Sequence, residues 1–218
     1  MKPCALLLFS ILICLQAFSQ DPVLAANKCY DEKNYECAMG KYKEAIADRK
    51  YQEKDLPLIK YRIGYALNEL KQYEDAIPYL KEALAGPNLL GEGSWSLAWA
   101  YYNTKNYALA LQNYEKAIPS YTGNNASIAD LHYGKGISNM GLYRYKDALE
   151  NMRLSIQFDS TNSNCYSYSG EASYNLGKYE DAIEFYRKAL QKSSTEVGPT
   201  AGRYYWIGKS YAKLKKYE

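Results

Sequence analysis

The chain has 218 residues, 47% of them hydrophobic and 23% charged, a composition that folds and that excludes a disordered polyelectrolyte. Its formal charge of +3 comes from 27 basic and 24 acidic side chains scattered along the sequence, so no strong field is available to hold nucleic acid. A single histidine, His132, excludes sites that need two or more, most zinc catalysis among them, while 25 tyrosines against 4 phenylalanines suggest a repeated unit.

In chain order, the first element is a mostly apolar stretch from Cys4 to Phe18. It is shorter than the roughly 20 residues a membrane-spanning helix needs. It reads as a signal peptide, residues 1–19, with Ala17 and Ser19 at the small positions before a cleavage site; a short N-terminal anchor is the alternative. No later apolar run approaches spanning length, so the expectation is an exported protein, periplasmic or secreted, with no membrane span after signal removal. Cys29, Cys37 and Cys165 lie beyond the signal. Cys29 and Cys37 flank the first predicted turn. They bridge it if their α-carbons fall within about 7 Å, or else they are two buried small apolar residues.

Asp21-Pro22 opens the first helix, with a capping carboxylate and a proline that needs no donor there. From this point one phrase recurs, a tyrosine three residues before an alanine: Tyr35 and Ala38, Tyr73 and Ala76, Tyr107 and Ala110, Tyr145 and Ala148, Tyr179 and Ala182, with Tyr217 beginning it again. Nine residues before each tyrosine stand Ala26, Gly64, Ala98, Gly136, Gly170 and Gly208. Ten after stand Ala45, Ala83, Ala117, Ser155 and Ala189, and seven after stand Tyr42, Leu80, Tyr114, Met152 and Tyr186. The tyrosines are spaced 38, 34, 38, 34 and 38, a 34-residue unit with four extra residues after every odd copy. Apolar residues at three-to-four spacing on both sides of a short polar turn describe two amphipathic helices in a hairpin. The small columns let backbones approach, and acids after the turn tyrosine suit the start of a second helix.

Smaller features follow the same order. Pro78 falls inside the second helix of copy two, which should make that helix irregular. Gly86 to Gly93 is glycine-rich, lacks a following Gly-Lys-Ser/Thr, and reads as a linker rather than a phosphate loop. Insertions at 48–56, 120–126 and 191–199 lengthen the loops between odd and even copies, either along one edge or by ordinary drift. His132 has no nucleophile partner by spacing and reads as structural, and Lys135 stands in a usually apolar column. Asn125-Ala126-Ser127 fits a glycosylation acceptor, relevant only in a eukaryotic secretory pathway. Copy six stops after its turn, so either the protein is longer or the helix at 201–214 serves as a cap.

These columns resemble the tetratricopeptide repeat, a 34-residue helix-turn-helix family, over residues 19–218. The resemblance implies an all-α fold, an alpha-alpha superhelix of stacked hairpins, with copies at 19–56, 57–90, 91–128, 129–162 and 163–200 and a partial one at 201–218. It also implies a concave groove lined by first helices. Projected onto this chain, the groove columns are Tyr61, Tyr65, Asn68, Trp95, Trp99, Tyr102, Asn103, Tyr133, Tyr174 and Asn175. Beside them come Tyr30, Tyr205, Asn27, Asp31, Glu69, Glu92 and Glu171. A one-residue shift in register would turn any of these rings into the core instead. The basic clamp of chaperone-binding members is absent. The expectation is a non-enzymatic interaction scaffold without cofactor or metal, binding an extended peptide or protein segment. The alternatives are a glycan-binding module built on Trp95, Trp99 and Tyr102, and the non-catalytic part of a longer protein with an effector domain.

Overall fold

A computed structural model describes residues 21–193 and 197–215; the expected signal peptide and Tyr217 lie outside the described residues. Among those described, eleven α-helices and two short 3-10 segments account for the regular structure. The chain divides into two compact units at Leu89/Leu90. In the first, α1 (Pro22–Asp31) pairs with α2 (Tyr35–Ala47) and α3 (Leu56–Glu69) with α4 (Tyr73–Ala83). In the second, α5 (Leu90–Asn103) pairs with α6 (Tyr107–Ala117), α7 (Asn125–Gly141) with α8 (Tyr145–Phe158), and α9 (Ser163–Asn175) with α10 (Tyr179–Lys192). The last helix, α11 (Val197–Lys213), packs on α10.

Every second helix through α10 begins on the repeat tyrosine, and the turn before it is closed in one way throughout. The backbone N–H preceding each tyrosine donates five residues back: Asn34 to Cys29, Gln72 to Leu67 and Asn106 to Tyr101 at 2.8 Å, Arg144 to Asn139 and Lys178 to Ser173 at 2.9 Å. Such a closure needs a left-handed residue just past the first helix. Lys33, Lys71, Lys105, Tyr143 and Gly177 fill it, with φ between 57° and 76°. Only one of the five is glycine, which is why this column carries no glycine signal in the sequence. Acids then occupy the first turn of α2 (Glu36), α4 (Glu74, Asp75), α8 (Asp147) and α10 (Glu180, Asp181), where the helix dipole favours them. Asp21 caps α1 through its side chain, accepting from the N–H groups of Val23 and Leu24.

The small columns work as close-approach points. An ideal Cβ on Gly170 would sit 2.9 Å from the Tyr186 ring, and one on Gly64 would sit 2.5 Å from Leu80. The large residue seven after the turn thus lies over the small residue nine before it. Tyr42, Leu80, Tyr114, Met152 and Tyr186 are all essentially buried, and each such burial contributes roughly 1.5–3 kcal/mol. The turn tyrosine reaches onward: Tyr107 covers Gly141 at the end of the next first helix.

Four expectations are resolved locally. Cys29 and Cys37 form a disulfide with α-carbons 5.8 Å apart, so they are not two independent apolar fillers. Helix α4 runs through Pro78. Lys135 reaches back from α7 to Glu115 of α6 at 3.1 Å, which accounts for a charge in a usually apolar column. The glycine-rich run is only half linker, because Leu90 to Gly93 form the first turn of α5 and Gly91 packs against Ser120 and Tyr121. Two insertions carry 3-10 segments, Glu53–Asp55 and Ile118–Tyr121.

Candidate aromatic binding face

In the first unit, α1, the start of α2 and α3 bring four tyrosines together. Tyr30, Tyr35 and Tyr65 form a triangle of rings with centroids 5.9–6.1 Å apart, and Tyr61 lies 6.2 Å from Tyr65. The Arg62 guanidinium sits 5.2 Å over the Tyr30 ring, a cation–π arrangement. Arg62 also donates to the Tyr42 hydroxyl at 3.1 Å and to the Asn27 carbonyl oxygen, which accepts from Tyr42 as well. Asn27, expected on the groove, is therefore part of a network joining α1, α2 and α3. Asn68 is 5% exposed and presents nothing to a ligand. Burial raises the Tyr30 phenol strongly, and burial together with the Glu69 charge pushes Tyr65 up to about 12.

In the second unit, the first helices α5, α7, α9 and α11 each touch the next, and their rings follow in turn. Trp99 is 40% exposed and stacks on Tyr102, with planes 22° apart and centroids 5.8 Å apart. Tyr102 in turn lies 5.7 Å from the turn tyrosine Tyr107. Trp95, expected beside Trp99, instead meets Tyr121 of the inserted loop edge-on at 5.2 Å. Tyr133 on α7 and Tyr168 on α9 are 5.9 Å apart. Tyr174 contacts Tyr179 at 5.4 Å and Trp206 of α11 at 5.1 Å, and Trp206 contacts Tyr205. The Lys209 ammonium lies 4.6 Å over Trp206, and within 6 Å of the Tyr174 and Tyr205 rings. Tyr102, Tyr133 and Tyr168 also pack against the core of Ile137, Met152 and Cys165, so each ring is half core and half surface.

The polar members are tied down. Asn103 donates its amide to the Trp99 carbonyl and Asn175 to the Glu171 carbonyl, both at 2.8 Å within their own helices. Burial pushes Tyr102 up to about 12, with Tyr168, Tyr107 and Glu171 adding to the effect, and it raises Tyr133 and Tyr168 as well. All these phenols are neutral at any physiological pH and act as hydrogen-bonding groups on apolar plates. Burial likewise raises the carboxyl of Glu171.

Tyr168 and Trp206 escaped the sequence reading. Both stand eleven residues before a turn tyrosine, a column that holds Arg62, Ser96 and Gly134 in earlier copies and so shows no aromatic signal. His132 stacks on Phe158, ring centroids 6.2 Å apart, with its Nδ1 3.4 Å from the Asn151 side-chain oxygen, a packed position.

Helix hairpins joined through one turn geometry, stacked by matched small and large columns, define a helical repeat protein whose first helices present the aromatic face. Tetratricopeptide-repeat family models match residues 61–125 and 163–195. The chain carries tetratricopeptide repeats over these segments, in an all-α fold of the superhelix class. Solved structures of the same fold include MamA from Desulfovibrio magneticus RS-1, 20% identical with a TM-score of 0.68 over 79% of this chain and 95% of that one. Another is YrrB, a tetratricopeptide-repeat protein described as having an unusual peptide-binding site, 19% identical with a TM-score of 0.64 over 81% and 85% of the two chains. A third is the C-terminal part of a repeat protein from Cytophaga hutchinsonii, 18% identical with a TM-score of 0.69 over 87% and 70%. None of the curated proteins matches the chain by sequence.

Proposed function

We propose that the protein is an exported, non-enzymatic scaffold that binds an extended peptide or protein segment along the ring-bearing faces of its first helices. The family and fold support an interaction scaffold, and members of the family are typically not catalysts. The observation that carries the finer reading is the succession Trp99, Tyr102, Tyr133, Tyr168, Tyr174, Trp206 on α5, α7, α9 and α11. Half-buried rings with neutral hydroxyls suit a ligand that offers side chains to stack and a backbone to hydrogen-bond. Export is supported by the leader-like residues 1–19 and by the Cys29–Cys37 disulfide, a bond that persists in oxidising compartments. No observation favours the glycan alternative.

The test is affinity capture from an envelope or secreted extract with the full chain. A protein partner retained by the native protein and lost on Trp99→Ala or Tyr174→Ala supports the reading, provided circular dichroism of the variants is unchanged. Equal capture by both variants, or saccharide binding without any protein, refutes it. Intact mass of protein from its native compartment tests export separately: a chain beginning at Gln20 is expected, and one retaining Met1 in the cytoplasm overturns that part.

A further inference from the structure

Among the described residues, the first helices carry one partly buried carboxylate, and its own packing leaves it without an ion pair. Glu171 is half-buried on α9, and the phenols of Tyr102, Tyr168 and Tyr186 all feel its charge. Among the described residues no lysine or arginine forms an ion pair with it. It opens into a pocket of about 260 Å³ between α9, α10 and α11, walled by Tyr168, Tyr186 and Trp206, with Ser167 and Arg203 at one side. That volume suits one long side chain rather than a drug-sized ligand.

The two nearby cations are otherwise engaged. Arg203 is 4% exposed. It donates to the hydroxyls of Ser167 at 2.9 Å and Ser163 at 3.1 Å, to the Ala189 carbonyl at 3.3 Å and to the Ser193 hydroxyl. Four of its five N–H groups are used, so it is a fixed wall and a poor receptor for an incoming anion. Lys209 points its ammonium over the Trp206 ring, one turn further along α11. A half-buried carboxylate needs a charged or multiply donating partner, and the phenol and indole faces beside it attract positive charge. An anionic side chain would meet Glu171 as a like charge, and an apolar one would bury it unpaired.

We propose that this pocket receives a lysine or arginine side chain of the bound segment, its aliphatic stem against Tyr168 and Trp206 and its charged head on Glu171. The inference rests on the peptide-scaffold reading above and adds the chemistry of one recognised residue.

Two probes separate the claims. N-acetyl-lysine methylamide and N-acetyl-arginine methylamide, titrated into the full ¹⁵N-labelled chain, are expected to shift the Trp206 indole and Glu171 amide signals saturably. The norleucine and glutamate analogues are expected to bind more weakly. Glu171→Gln keeps shape and helix while removing the charge, and is expected to weaken the two cationic probes about tenfold. Glu171→Asp is expected to fall between. Equal binding of the norleucine or glutamate analogue, or an unchanged affinity in Glu171→Gln, overturns the proposal. The second probe is an immobilised library of random ten-residue peptides with one fixed central residue. Peptides bound with no preference for Lys or Arg sink the pocket and leave the scaffold reading standing. Cationic analogues bound while no peptide binds sink the scaffold reading and leave the pocket.

Discussion

Gly170 on α9 and Gly40 on α2 are both helix-interior glycines, yet replacing each by alanine should change stability in opposite directions. At Gly170 the new Cβ would lie 2.9–3.0 Å from three carbons of the Tyr186 ring, which is buried at 3% exposure and has no room to swing aside. Overpacking of this kind costs about 1–3 kcal/mol. The gain in helix propensity from glycine to alanine recovers up to about 1 kcal/mol, for a net loss of about 1 kcal/mol. At Gly40, exposed on α2, no described atom lies within 4 Å, so only the propensity gain remains. For a chain of this size about 1 kcal/mol corresponds to roughly 2–4 °C in midpoint. Thermal and urea melts of the full chain, followed by circular dichroism, should show Gly170→Ala falling and Gly40→Ala rising by about that much. A double-mutant cycle with Tyr186→Leu should shrink the Gly170→Ala loss, because the ring is its cause. If both alanines shift the midpoint the same way, or if the Tyr186→Leu background leaves the loss unchanged, the close-approach account is wrong.

Further outcomes are expected from the same geometry. Reducing the Cys29–Cys37 disulfide, which closes a separation of 8 residues, should lower the stability of the first unit by about 2.5 kcal/mol on chain-entropy grounds, read from melts with and without reductant; no change would refute it. At the left-handed turn column, Gly177→Ala should cost about 1 kcal/mol, whereas Tyr143→Gly should be stabilising by a few tenths, and denaturant midpoints with the reverse order would discredit the turn assignment. Burial lowers the His132 pKa below 6.5, so its contribution to stability is complete above pH 6.5 and declines as pH falls toward the lowered value. Melts of native protein and His132→Gln at pH 7.5 and 5.5 should differ in slope, the variant losing less on acidification; parallel slopes would contradict the burial.

How much of this was legible in the sequence depends on whether the determining contact lies inside one hairpin. The turn tyrosines, the small and large columns, the acids after four of the five turns and the Asp21 cap are set by local geometry repeated at a fixed period. Their positions therefore followed from residue types alone. The left-handed turn column was invisible because four of its five occupants here are lysine or tyrosine, residues that accept the strain for the sake of the closure.

The aromatic face was only partly readable. The columns placed Trp99, Tyr102, Tyr133 and Tyr174 correctly on first helices, but which rings meet is decided between hairpins. Trp95 turned to Tyr121 because an inserted loop returns beside it, Asn68 was buried, and Tyr168 and Trp206 entered from a column that is not aromatic elsewhere. A period fixes angle around a helix and nothing about the neighbour opposite. That limit shows at Gly170, whose need to stay glycine is set by the Tyr186 ring lying across from it. By itself, then, the sequence determined the repeat, the hairpin and which helix carries each column. Tertiary structure alone decided which rings are paired, which partly buried carboxylate lacks an ion pair and which glycine must remain one, because those depend on distances between segments that no periodicity encodes.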